Sequence, residues 1–416
     1  MRAIYVNLAS KIEKYFRVDA RYFLSGGFWL LVSQATTVLS SLVVAILFAN
    51  NLSESDYGIY RYVIGLAVIF GAFSLTGISQ AIMQASSKNI DVFFSKSTRT
   101  TLLYGLITSG AALIGSLYYY INDNNTLAIG CLLIALLHPV TQLFLNTLSH
   151  LYGKANFKTG TYIQAGKSFF VSAASIFALL FSENIIVLLL VYFITQAVSS
   201  IICYLVFKPN PKNQTITEPE FTKYQTYAKH TSVRNIFSHV SNQFDTVFIF
   251  QQLGAVELAV YSIASLIPSH VRGSFKNLQS LLIPKYAKHD SDQTIKGSIP
   301  KRSLQFFILL SLLSVAFIFI VPYLYALLFP TYTEAVLYAQ LLALAFPASI
   351  ALIPFGALQV LQREKELYIF QIGSSIVQLF SVVTLIIFFG LIGAIAARVI
   401  FQYFRAMLAY YLLYKK

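Results

Sequence analysis

Apolar residues run along this chain in twelve long blocks separated by short polar breaks. A hydrocarbon core about 30 Å thick is crossed by about 20 helical residues. Each block therefore predicts a transmembrane helix, at about 25–49, 58–83, 99–120, 126–149, 159–181, 184–207, 231–252, 256–283, 303–328, 333–361, 367–389 and 391–413. No intervening stretch is long and polar enough to make a separate soluble domain. The pattern predicts an all-α polytopic membrane protein. Its expected parts are a six-helix lobe over 1–207, a linker over 208–230 with Pro209, Pro211 and Pro219, and a second six-helix lobe over 231–416. The first block is too long for a signal-peptide core, so no cleavable signal is expected.

Charge fixes the orientation. Alternate polar breaks hold Lys88, Lys96 and Arg99; Lys154 and Lys158; Lys208, Lys212, Lys223 and Lys229; Lys285, Lys288, Lys296, Lys301 and Arg302; Arg363 and Lys365. The N-terminal segment and the Lys415-Lys416 tail belong to the same series. The breaks between them hold no Lys or Arg and carry Glu54, Asp56, Asp123, Glu183, Glu257 and Glu334 instead. Basic residues stay on the cytosolic side. Both termini are therefore expected in the cytosol, and the helix count is even. The acidic loops are short, which argues against a sizeable external catalytic domain.

Composition adds limits. The 416 residues are 57% apolar and 11% charged, with a net charge of +14 and a mean hydropathy of +0.67. A soluble chain would carry roughly a quarter charged residues. The positive balance follows from the cytosolic loops, and no nucleic-acid partner is expected. Cys131 and Cys203 both fall in predicted helices without metal-ligand spacing, so neither a disulfide nor a metal site is expected.

The midpoint linker prompts a search for duplication. Residues 52–60 read LSESDYGIY after the first block, and residues 253–261 read LGAVELAVY after the seventh. Residues 151–155, LYGKA, correspond to residues 361–365, LQREK. Two copies of six helices would share one orientation, with a site between them; chance likeness of apolar sequences is the competing explanation.

These stretches carry a resemblance. Residues 52–61, the Gly-rich run ending LTGISQAI at 75–82, the element QFD at 243–245, AVYSIA at 259–264 and LYGKANF at 151–157 resemble the polysaccharide-exporter branch of the MOP flippase superfamily. The resemblance implies two six-helix lobes around a central cavity, working by alternating access. It implies an O-antigen-type flippase that moves undecaprenyl-diphosphate-linked oligosaccharide from the cytosolic to the outer leaflet. The pathways implied are O-antigen in lipopolysaccharide, capsule or exopolysaccharide. The location implied is a bacterial cytoplasmic (inner) membrane, with a polymerase and glycosyltransferases as pathway partners.

Seven cations remain within or close to the apolar blocks: Arg61, Lys167, Arg234, Arg272, Lys276, Arg398 and Arg405. Asp245 is the one acid there. Buried charge in a bilayer is costly and usually functional, and a cationic interior fits an anionic cargo. Arg272 and Lys276, four apart, share a helix face and are the expected diphosphate contacts. Lys167 and Arg398 would complete the field. Local pairing or snorkelling competes with this reading, most of all for Arg61, Arg234 and Arg405 near helix ends. Asn235, Ser238, His239, Asn242 and Asp245 form a polar stripe on the seventh helix, and Ser33, Gln34, Thr37 and Ser41 a weaker one on the first. A gate with a sugar-binding surface and plain interhelical hydrogen bonding both fit these stripes. Asp245 is the candidate for coupling to Na⁺ or H⁺, and pairing with an Arg is its alternative. His138-Pro139 marks a candidate kink.

Two other functions compete with this one. A multidrug exporter of the same superfamily would move organic cations, which a cationic interior repels. A glycan polymerase or ligase would need a large external loop, and no nucleophile–base pair or phosphate-cradling Gly loop is present. No cofactor is expected.

Overall fold

The structure is a computed structural model that describes residues 20–209, 216–287, 292–361 and 363–415, with side chains outside 20–26, 276–296 and 298. Among the described residues there is no strand. Eight helical segments are apolar and long enough to cross a bilayer. The last of them, Glu364–Tyr414, is broken at Gly390, whose φ of 58° is left-handed and suits only a residue without a Cβ. Three more helical stretches, at 54–87, 218–253 and 255–287, are more polar. Together they make the twelve-segment, all-α polytopic membrane fold that the apolar pattern predicts.

By chain contacts the protein divides into two compact units: Met1–Val44 with Phe70–Val233, and Ala45–Ile69 with Arg234–Lys416. This division differs from the lobes drawn at 1–207 and 231–416, because residues 45–69 group with the second half.

The first unit starts with part of α1 (Ala20–Asn51) and takes the end of α2 (Glu54–Ala72). It continues through α3 (Ile78–Ser87), α4 (Val92–Ile121), α5 (Asn125–Leu137), α6 (Gln142–Gly153), α7 (Phe157–Phe181), α8 (Ile185–Phe207) and the start of α9 (Glu218–Leu253). The side chains of Asn124, Asn156 and Asn184 cap α5, α7 and α8 by accepting from Leu127, Thr159 and Ile186 backbone N–H groups, each cap contributing about 1 kcal/mol. Pro139 lacks a donor, and a 3₁₀ turn, His138–Thr141, interrupts the helix there. Residues 218–230 belong to helix α9, so the linker is shorter than 208–230. Phe221 and Tyr224 explain this, since their rings lie 5.6 and 5.1 Å from that of Phe93. Pro219 falls in the first turn, where it is tolerated.

The second unit holds most of α2 and the rest of α9. It adds α10 (Ala255–Ala287), α11 (Asp292–Leu328), α12 (Ala335–Ala343), α13 (Leu352–Val360), α14 (Glu364–Tyr368) and α15 (Ser374–Tyr414). Helix α2 is held to α9 and α10 by close packing. A Cβ on Gly58 would collide with the Ala255 carbonyl. Tyr62 stacks on Phe250 with centroids 3.8 Å apart and accepts from Gln251 Nε2 at 2.8 Å. The two short sequences proposed as repeat copies therefore pack against each other. Large apolar side chains such as Leu180, Tyr323 and Phe388 are at least 75% exposed, which fits lipid contact and not water.

Candidate functional site

Asp245 lies on α9 and is completely buried. Its Oδ2 accepts from Arg398 Nε at 2.8 Å and pairs with Nη2 at 2.7 Å. The same oxygen accepts from the Tyr261 hydroxyl. Oδ1 accepts from the Thr246 backbone N–H at 2.9 Å. Arg398 Nη2 also donates to the Asn242 carbonyl at 3.3 Å. Two guanidinium nitrogens and the Tyr261 hydroxyl thus converge on one charged oxygen, and the three side chains join α9, α10 and α15. Arg398 had been expected in the anion field; its charge is instead balanced by Asp245.

Arg272 follows Tyr261 by eleven residues on α10, about three turns and so on the same face. It lies within electrostatic range of Arg398, Arg405, Tyr261 and Asp245. Arg405 follows Arg398 by seven residues, about two turns along α15. Its guanidinium lies 5.0 Å from the Phe370 ring centroid. On α2, Arg61 lies within range of Tyr57 and His270. The Nε atoms of Arg61, Arg234 and Arg405 are buried and find no hydrogen-bond partner among the described residues. A buried donor left unmatched is costly. The Lys276 side chain lies outside the described residues.

The polar stripe on α9 divides. Asn235 is half-buried, while His239 and Asn242 are exposed. Ser241 bonds Ser375 on α15 at 3.2 Å, and Asn242 donates to Ser238 at 3.4 Å. Hydrogen bonding within and between helices thus accounts for part of the stripe.

In the first unit, Lys167 on α7 donates to Ser200 at 3.0 Å and sits 4.0 Å from the Phe144 ring centroid. Gln34 is half-buried on α1. Thr37 on the same helix meets Ser168 at 3.4 Å. The sequence reading missed a ladder on α6. Asn146 accepts from Ser79 at 2.8 Å and donates to Thr101 at 2.9 Å. Gln142 donates to Ser79 at 3.0 Å, and His150 meets Ser86 at 2.8 Å. Its signal was the spacing of Gln142, Asn146, His150 and Lys154 by four. Tyr261 falls within the repeat and the resemblance stretches, neither of which gives it a charged partner. Among the described residues no cluster of three or more His, Cys, Asp or Glu is placed to hold a metal ion.

This architecture is that of known membrane transporters. One structure, the lipid II flippase MurJ in an inward closed conformation, is 13% identical with a TM-score of 0.71, covering 92% of this chain and 87% of that one. An inward-facing multidrug resistance MATE family transporter of the MOP superfamily is 14% identical with a TM-score of 0.70, covering 90% and 93%. Its outward-facing counterpart is 11% identical with a TM-score of 0.65, covering 94% and 93%. No curated protein sequence matches. The polysaccharide biosynthesis protein family matches residues 23–288, and the chain belongs to that family.

Proposed function

We propose that this protein is a flippase carrying polyprenyl-diphosphate-linked oligosaccharide from the cytosolic to the outer leaflet of a bacterial cytoplasmic membrane. The observation that carries the reading is the cationic excess of the second unit. Arg61, Arg234, Arg272 and Arg405 lie in its helices, while Asp245, the one fully buried acid among the described residues, is already matched by Arg398. A diphosphate presents anionic oxygens that Arg binds in a bidentate way. Three orphaned Arg Nε atoms are donors such oxygens could answer. Arg272 is the proposed main contact, with Lys276 beside it on the helix. Lys167, on the first unit, is proposed as a further cationic contact. Asn235, His239, Asn242 and Gln34 are proposed for the glycan or gate. The family description supports the polysaccharide setting, in which a polymerase and glycosyltransferases are the proposed partners. Both termini are proposed to be cytosolic, from the loop charges.

The fold is shared with multidrug transporters, so cation export is the second reading. It needs an available carboxylate, and Asp245 is occupied on both oxygens. The test is the fate of lipid-linked glycan in cells depleted of the protein. Single repeat units should accumulate on the cytosolic leaflet. Arg272→Gln should reproduce that accumulation with the protein still in the membrane, and Arg272→Lys should restore part of the export. Accumulation on the outer leaflet, or full export by Arg272→Gln, would overturn the proposal.

A further inference from the structure

A groove on the first unit shares no lining residue with the proposed transport site. It measures about 470 Å³ and is lined by Ser95, Thr98, Arg99, Leu102, Leu103, Leu106 and Tyr204. We propose that this groove between α4 and α8 binds an anionic glycerophospholipid of the cytosolic leaflet, with the phosphate on Arg99 and an acyl chain along the leucines.

Depth supports this occupant. Helix α4 has 30 residues, about 45 Å, and Arg99 stands about 10 Å from its Val92 end. That leaves about 35 Å beyond it, close to the hydrocarbon thickness, which puts Arg99 at headgroup level. Leu102, Leu103 and Leu106 follow one to two turns deeper and are exposed, at acyl-chain level.

Charge supports it as well. Arg99 is exposed and makes no ion pair among the described residues. Lys208 lies 5.9 Å from the ring centroid of Tyr204, which lines the groove. The nearby acid, Asp91, is held by Lys154 at 2.9 Å. The wall is rigid, since Tyr204 stacks on the buried Phe94. The groove therefore offers fixed positive charge above an apolar channel, the complement of a phosphodiester joined to a hydrocarbon chain.

The test uses the purified full-length protein in bicelles of equal palmitoyl-oleoyl-phosphatidylglycerol and phosphatidylcholine, with retained lipids counted by native mass spectrometry. The wild type should retain phosphatidylglycerol over phosphatidylcholine. Arg99→Gln should reduce that preference about five-fold, the change that corresponds to about 1 kcal/mol per basic residue at an anionic surface. Arg99→Lys should keep most of it, and Lys365→Gln, on the other unit, should leave it unchanged. An unchanged preference in Arg99→Gln would overturn the proposal. So would an equal fall in Lys365→Gln, which would mean general attraction to basic surface. Displacement of phosphatidylglycerol from the wild type, but not from Arg99→Gln, by added undecaprenyl phosphate would make the groove a substrate site and also overturn it. None of these outcomes depends on whether the protein transports glycan.

Discussion

Replacing Asp245 with Asn removes the charge at the centre of the α9–α10–α15 junction and keeps the shape. Asp245 is fully buried and receives four hydrogen bonds, two of them from Arg398. Without the carboxylate charge, Arg398 is left with neutral acceptors only, the new amide oxygen and the Asn242 carbonyl at 3.3 Å. A buried ion pair broken on one side costs about 3–5 kcal/mol, because the surviving charge stays desolvated. Removing both partners differs in sign. Asp245→Leu with Arg398→Met replaces two buried charges by apolar groups, which is often neutral or stabilising. The expected pattern is a loss of about 3–5 kcal/mol for Asp245→Asn, Asp245→Leu or Arg398→Met alone and recovery to within about 1 kcal/mol in the double variant Asp245→Leu/Arg398→Met. Reversible unfolding in mixed detergent micelles, followed by circular dichroism, measures all of these. A single-variant loss below about 1 kcal/mol, or losses that simply add, would refute the reasoning. Under the proposed function, glycan export by the double variant then separates a structural role of the pair from a coupling role for Asp245. An active double variant makes the pair a staple between helices. A folded but inactive one makes Asp245 part of the coupling machinery.

Gly58→Val should destabilise the second unit by about 1–3 kcal/mol, since a Cβ there meets the Ala255 carbonyl; the same unfolding assay reads it, and a change below about 0.5 kcal/mol would mean that α2 can move aside. Asn146→Leu breaks bonds to Ser79 and Thr101 and should cost about 1–3 kcal/mol by leaving buried hydroxyls unmatched. Faster hydrogen exchange should then be confined to α3, α4 and α6. Lys167→Met should preserve folding, because its Ser200 partner can bond elsewhere. Under the proposed function it should slow export, and unchanged export would limit Lys167 to packing against Phe144.

The apolar blocks alone gave the helices, because a bilayer forces every spanning backbone to satisfy its hydrogen bonds internally. Most expected boundaries fall within a few residues of the observed ones. The charge series gave the even count through one further constraint, the retention of basic loops in the cytosol. The list of cations was also legible, since no residue other than Lys or Arg carries a permanent positive charge. What each cation does was not. Arg398 and Arg272 look alike in sequence, yet one is matched by Asp245 and Tyr261 and the other is not. The partners lie 153 and 137 residues apart from Arg398 along the chain, and no local periodicity encodes that distance. Arg405 read as an end residue that reaches the interface, but tertiary packing buries its Nε beside Phe370. The helical start of α9 was hidden behind prolines until Phe93 supplied a partner for Phe221 and Tyr224. The grouping of residues 45–69 with the second half rests on contacts between distant segments, among them Gly58 against the Ala255 carbonyl and Tyr62 stacked on Phe250. Periodicity and charge are local and survive in the sequence, whereas pairing and desolvation exist only once distant helices meet.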